Sequence, residues 1–549
     1  MLCAGPLVPG PPVTDRPSPE RDPPVPGSEP GDLDEPLDGA PHPWTGSTGA
    51  AEVGGPPGHL KLQAAVSILW TIVRTGSDYL LSFAVFALLA RKLGPAAFGV
   101  FALAAACAEF GRILPSSGLV NALSRAKHVT AEMADTVFWS TLALAWAIAA
   151  VAALVARPLA TAFGEPAVAP LLAALGLILP VSAAGATHIA LKLRDFGHKS
   201  MASRSVVSGV LGGAAGLSAA WAGWGPWSLV VQRAVSEIAG TAMAWHAYRW
   251  LPGRRYSSAV LRDLAGHGMS MTITQLLFVG LVRIQDIIIG RVIGAAAVGV
   301  YRTAWRTVEL IAQGVIMPFS LVSLPTLARL QDDLPAFRKA YLRMVSVSAA
   351  LAFPAIIGFA VLAPHAVTLI FGAQWAASAR IAQVLGCMAV PFTLNYFAGP
   401  ALAALGRSGT LARIAALNLT LTVVLSLLAV PFGLTAVAGA YVLRAYLTLP
   451  VQMGAFRRYS GVGYRAVLRA IAPALSMALV MAACLLLLDH LVGGRIHNRG
   501  VFLVVMVCAG AVVYGGSLLL FARSFVAEQI RDLRPLLPGA LAKLSGAGV

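Results

Sequence analysis

Charge is scarce in this chain. Only 12% of its 549 residues are Asp, Glu, Lys or Arg, about half the roughly 25% typical of soluble domains. Hydrophobic residues make up 57%, and the mean hydropathy is +0.75. This excludes an ordinary soluble globule. Cysteine is scarce too. Five Cys, with no CxxC and no His at metal-ligand spacing, exclude a disulfide scaffold and a zinc site. No Gly-Lys dipeptide occurs, so there is no Walker A loop and no ATP bound by this chain to supply energy. No cofactor or metal is expected. Acids are fewer than bases, and the net charge is +17. A nucleic-acid partner is one reading of that surplus. The placement of the bases points to a membrane instead, and no nucleic acid is expected.

Residues 1–60 stand apart. They hold 15 of the 35 Pro and nine acids, with only Arg16 and Arg21 as bases. Such a segment cannot bury enough apolar surface to offset chain entropy, so it reads as a disordered tail. It lacks the basic start and apolar run of a signal peptide.

From residue 62 onward, apolar runs of roughly 20 residues alternate with short polar breaks, the length a helix needs to cross hydrocarbon. Backbone in lipid must bond internally, so each run is expected to be a helix. The expected fold is an all-α polytopic membrane protein of about 14 spans. Loops on one side carry 20 Lys and Arg, Arg204 among them, and those on the other side 7. The positive-inside rule then puts both termini in the cytoplasm, and the Ala- and Arg-rich, Lys-poor usage is that of a high-GC bacterium, so the expected place is a bacterial inner membrane.

Seven Arg fall inside the expected spans: Arg74, Arg112, Arg233, Arg283, Arg302, Arg306 and Arg444. Five acids join them: Asp78, Glu109, Glu237, Asp286 and Glu309. A charge at the bilayer centre costs about 2.5–3.5 kcal/mol or more, so these groups must face protein or water. Each acid has an Arg three or four residues away, on the same helical face. Neutralised structural pairs are one reading. A hydrated central cavity is the other, and the surplus of guanidinium favours it. That surplus suits an anion, above all a phosphate. Arg302 and Arg444 lack an in-helix acid partner at that spacing.

An internal repeat matches LGPAAFGVFALA (93–104) with IGAAAVGVYRTA (293–304), at six of twelve positions and an offset of 200 residues. WGPWSLV (224–230) and FGLTAVA (432–438) are a weaker echo. Two parallel six-helix repeats with the site between them are a recurrent transporter design. The expected division is an N-lobe at 62–250, a C-lobe at 263–456, two further helices at 465–523 and a cytoplasmic tail at 524–549.

LARKLGPAAFGVFALA (89–104), MPFSLVSLPTLARLQDDLPAFRKAYLRM (317–344) and LIFGAQWAASARIAQVLG (369–386) resemble the polysaccharide transporter family. These are the Wzx-type lipid-linked oligosaccharide flippases of the multidrug/oligosaccharidyl-lipid/polysaccharide exporter superfamily. The resemblance implies two V-arranged, pseudo-symmetric six-helix bundles plus two C-terminal helices. It implies alternating access, and a saccharide on undecaprenyl diphosphate as substrate. On that reading Arg74, Arg283, Arg302 and Arg306 bind the diphosphate or acidic sugars, with Arg112 and Arg444 in the same cationic cavity. Asp78 and Asp286 orient them or exchange a proton or cation, and Glu109 and Glu309 pair with the neighbouring Arg. Membrane lipid is a second partner, with a polymerase and glycosyltransferases as candidates beyond it. The protein is expected to be a monomer and not an enzyme. Two alternatives are a cation-coupled small-molecule exporter of the superfamily and a membrane glycosyltransferase or polymerase. The longest expected outward loop, about 364–378, holds no acid to serve the latter.

Smaller features have plain readings. Pro180, Pro318, Pro354, Pro391 and Pro400 kink spans, as hinges or static bends. Asp332–Asp333, followed by Leu-Pro, reads as a helix N-cap before a metal pair. Trp224, Trp227 and Trp375 read as interfacial anchors at outer span ends. His128, His198, His267 and His365 read as solvated loop residues.

Overall fold

A computed structural model describes residues 57–521, apart from 127–128, 195–197, 494–495 and 497. Unbroken apolar sequence gives helix after helix, and no strand occurs among the described residues. The order is α1 Pro57–Ser117, α2 Leu119–Arg125, α3 Ala131–Phe163, α4 Val168–Arg194, α5 His198–Trp221 and α6 Trp227–Ala247. After a connection at 248–257 come α7 Ser258–Val292, α8 Ala295–Arg329, α9 Leu334–Phe371, α10 Ala376–Gly386 and α11 Ala389–Ala404. The chain ends with α12 Ser408–Ala429, α13 Leu434–Ser460, α14 Tyr464–Val492 and α15 Arg499–Phe521. The N-terminal tail and the segment beyond 521 lie outside the described residues.

Local chemistry sets the ends. Thr130, Ser257 and Asp333 cap α3, α7 and α9, each side chain accepting the N–H three residues on. Asp333 is therefore the N-cap that its sequence context indicates, with Pro335 in the first turn. Gly94 divides α1 into two limbs, at φ 77° and ψ 172°. Gly294, the matching residue of the repeat, caps α8 at φ 108° and ψ 168°. The expected outward loop at 364–378 is different in the structure: α9 runs through Pro364 to Phe371, and a 3-10 turn, Ala373–Trp375, follows at once.

Nine described helices are long and apolar enough to cross a membrane, or ten if α10 and α11, bent by 60°, count as one crossing. Large apolar side chains point outward from them: Leu154, Phe432 and Val512 are more than 70% exposed. A surface of that kind suits lipid, not water. The helices α5, α6 and α7 are absent from this apolar set. They carry Arg204, Arg233 with Glu237, and Arg283 with Asp286, which lowers their hydropathy.

Close packing depends on small residues. Gly212 and Gly216 of α5 sit against Ser236 and Gln232 of α6. The second limb of α1 crosses α8 at Gly99 and Gly299. The pair α14–α15 packs on α9, where the Tyr514 hydroxyl donates to the Ala350 carbonyl at 2.7 Å.

Candidate functional site

A cavity of about 590 Å³ lies between α1, α4, α5 and α6 on one side and α7 and α8 on the other. Its wall carries six guanidinium groups, from Arg112, Arg204, Arg233, Arg283, Arg302 and Arg306. Two carboxylates share the wall, Glu109 and Glu237. Ser182, Ser208, Gln232 and Ser236 add neutral polar groups. The formal charge of the wall is therefore +4, and the acids just behind it, Asp286 and Glu309, reduce it to +2.

The in-helix pairs form. Glu109 Oε2 accepts from Arg112 Nη2 at 2.8 Å and Nε at 3.2 Å. Arg233 Nη2 lies 3.0 Å from Glu237 Oε1. Arg306 Nη1 donates to Glu309 Oε2 at 3.1 Å, while Nη2 donates across to Ser82 Oγ on α1 at 3.3 Å. Asp286 is fully buried and lies between two helices' Arg: its Oδ2 is 3.6 Å from both Arg283 Nη1 and Arg302 Nε. These are ion-pair distances, longer than a good hydrogen bond. Arg302 thus finds across the α7–α8 contact an acid partner, the one on its own helix, Glu309, being paired with Arg306.

Side-chain exposure orders the Arg by depth. It is 15% for Arg302, 20% for Arg283, 29% for Arg306, 38% for Arg233 and 45% for Arg112. The drier of these guanidinium groups attract an anion more strongly, because less water screens them.

The structure corrects three sequence expectations. Arg444 does not line this cavity. It is buried within the second half, where Nη1 donates to Asn418 Oδ1 at 2.7 Å and the guanidinium lies 4.2 Å from the Tyr441 ring centroid. Arg204, read as a loop base, instead lines the cavity from α5, and its Nε donates to the Gly240 carbonyl at 3.0 Å. Trp375 is no interfacial anchor: it is fully buried, whereas Trp224 and Trp227 are exposed. Arg74 and Asp78 fall on α1, but their side chains lie outside the described residues, as does His128. The side chains of His198 and His267 do so too. His365 pairs with Asp489 at 3.1 Å. Among the described residues, no three His, Cys, Asp or Glu gather as a metal site.

Arg204, Ser208, Gln232 and Ser236 of the α5–α6 wall went unread in the sequence. Their signal is there, because Arg204 and Ser208 share one face, as do Gln232 and Ser236, at i,i+4 spacing. A second cavity, of about 860 Å³, is almost wholly apolar and lies between α1, α8, α9, α14 and α15. The two cavities share a wall. Ser82 and Arg306 face the cationic one, and Tyr79, Phe83 and Thr307 the apolar one.

These features define a polytopic helical membrane protein with a cationic chamber between α1 and α4–α6 on one side and α7 and α8 on the other, and an apolar chamber beside it. Residues 88–380 match the family described as polysaccharide biosynthesis protein. That is more than half of the chain, and the chain belongs to this family. It is 27% identical over 484 residues to the succinoglycan biosynthesis transport protein ExoT of Rhizobium meliloti (strain 1021), covering 86% of this chain and 96% of that one. It is 21% identical over 324 residues to the lipopolysaccharide biosynthesis protein WzxC of Escherichia coli (strain K12), covering 58% and 65%. The fold resembles the lipid II flippase MurJ in an inward closed conformation, with TM-score 0.66, 12% identity and coverage of 84% and 98%. It also resembles an inward-facing multidrug resistance MATE family transporter, with TM-score 0.55, 17% identity and coverage of 70% and 94%.

Proposed function

We propose that this protein carries a lipid-linked oligosaccharide or polysaccharide repeat unit, on undecaprenyl diphosphate, across the inner membrane for cell-surface polysaccharide biosynthesis. The observation that carries the reading is the pair of cavities sharing the α1–α8 wall. A polyprenyl diphosphate saccharide has a polyanionic, hydrophilic head and a long apolar tail. The head cannot enter hydrocarbon, because unpaired charge there is prohibitively costly. The Arg wall offers forked donors to a diphosphate. The apolar cavity, with a lining almost free of polar groups, offers a place for the tail beside it. The similarity to ExoT, a succinoglycan biosynthesis transport protein, and WzxC, a lipopolysaccharide biosynthesis protein, supports a saccharide cargo.

In this reading the chain crosses the membrane fourteen times, with α1–α6 and α7–α13 as the two halves, α14–α15 as the added pair, and both termini cytoplasmic. The head loads from the cytoplasmic side into the cavity between the halves. The halves then rock so that the same cavity opens outward. Arg302 and Arg283 hold the diphosphate deepest, and Arg112, Arg204 and Arg233 line the route for the sugars. Asp286 keeps the two deep guanidinium groups apart and oriented. The net positive charge of the wall disfavours a cationic drug as cargo. Deleting the gene tests the proposal: lipid-linked glycan should accumulate in the cytoplasmic leaflet and surface glycan should disappear. Undiminished surface glycan would remove the assignment.

A further inference from the structure

The two halves meet at one end through contacts that the cavity does not use. At Gly94–Pro95 the α1 helix breaks. The carbonyl of Arg91 would ordinarily accept the N–H four residues on, but that residue is Pro95, which has none. Its partner comes from the other half: Gln374 Nε2 donates to the Arg91 carbonyl at 2.9 Å. Beside it, Trp375 Nε1 donates to the Ala90 carbonyl at 2.9 Å. The indole is fully buried and packs edge-on against Phe98, with centroids 5.7 Å apart. The matching position 295 is Ala, yet past the break at Gly294 no backbone bond joins its N–H to the Arg291 carbonyl; the glycine break, as well as the proline, leaves the Arg91 carbonyl to a donor from outside.

We propose that Gln374 and Trp375 form a latch that holds the halves shut at the end opposite the cytoplasmic loops, and that must release before the cavity opens outward. The name of that end, and the purpose of opening it, rest on the transport reading above. The latch itself rests on geometry alone. Two side-chain donors on a short turn grip two backbone carbonyls at a helix break. These bonds are directional and few, so they can part together without unfolding either helix. The bond to the Ala90 carbonyl is buried, and a buried carbonyl left unpaired is costly, which makes the closed state definite.

The test is a distance measurement on the full-length protein in lipid nanodiscs, with native cysteines replaced by serine. Spin labels at Trp224→Cys and Phe432→Cys, both at exposed positions on the latch side, report the separation of the halves by double electron–electron resonance. Gln374→Ala with Trp375→Phe is expected to raise the long-distance population by about fivefold, the scale set by losing one or two net hydrogen bonds. Gln374→Glu keeps the size of the side chain but removes the Nε2 donor to the Arg91 carbonyl, so it should shift the same population in the same direction. A distribution unchanged by both variants overturns the latch. No substrate or export enters the measurement, so that failure would leave the transport reading standing. Conversely, a shifted distribution in a protein with no export role would keep the latch and remove the transport reading.

Discussion

Gly99 and Gly299 touch each other's helices reciprocally. A Cβ on Gly99 would sit 1.7 Å from the Ala295 carbonyl oxygen, and one on Gly299 would sit 2.0 Å from that of Pro95. The four residues are two matched pairs in the repeat, 200 positions apart. The close approach of α1 and α8 therefore needs glycine on both sides, and backbone, not a flexible side chain, is what a methyl would strike.

Gly99→Ala should accordingly lower the unfolding temperature by several degrees and reduce export. Gly439→Ala is the control, because a Cβ there meets nothing within 4 Å. In a helix interior that change should be neutral or stabilising by about 0.5–1 kcal/mol. Thermal unfolding of the two purified variants checks the contrast. Equal melting temperatures would mean that the crossing relaxes freely.

Asp286 and Arg302 should be energetically coupled. Each single change, Asp286→Ala or Arg302→Ala, leaves a buried charge less compensated, and both should destabilise. The double variant should lose less than the sum, by about 1 kcal/mol or more, as expected for contacting charges. A denaturation cycle over the four proteins gives the value. Strict additivity would indicate that water screens the pair.

Arg444 should behave as a structural residue. Arg444→Ala removes a charge-assisted hydrogen bond to Asn418 and a stacked ring contact with Tyr441. The cost should be about 2 kcal/mol of stability. Binding of a polyprenyl diphosphate to the purified protein should stay within about twofold at a temperature where the variant is folded, since well under 1 kcal/mol of affinity is at stake. A selective loss of binding at unchanged stability would return Arg444 to the substrate path.

Filling the apolar cavity should block transport without touching the charges. Ala511 of α15 lines it, opposite Gly358 and Pro354 of α9. Ala511→Trp should lower surface glycan severalfold in cells while membrane levels of the protein stay normal. Immunoblotting and glycan staining of the same cells make the comparison. Normal export with the cavity filled would remove the tail from that place.

Much of this was legible in the sequence, for identifiable reasons. Pairs such as Glu109–Arg112 and Arg306–Glu309 follow from helical spacing, which needs no tertiary information. The shared glycine conformation at Gly94 and Gly294 was foreshadowed by the repeat. Contacts across helices were not legible. Nothing in spacing tells that Asp286 of α7 serves Arg302 of α8, or that an amide and a phenol ring accommodate Arg444. Arg204 was missed because a base within two turns of a helix start looks the same as a loop base. Trp375 was misread because an indole near a helix end satisfies the anchor pattern, whether it faces lipid or the opposite half.

The most direct measurement is ligand binding to purified protein in nanodiscs, comparing an undecaprenyl diphosphate saccharide with undecaprenyl alcohol by native mass spectrometry. The wild-type protein should retain the diphosphate and not the alcohol, and Arg283→Ala/Arg302→Ala/Arg306→Ala should lose that preference while remaining folded. Retention of the diphosphate by the triple variant at wild-type strength would contradict the assignment of the cationic chamber to the substrate head.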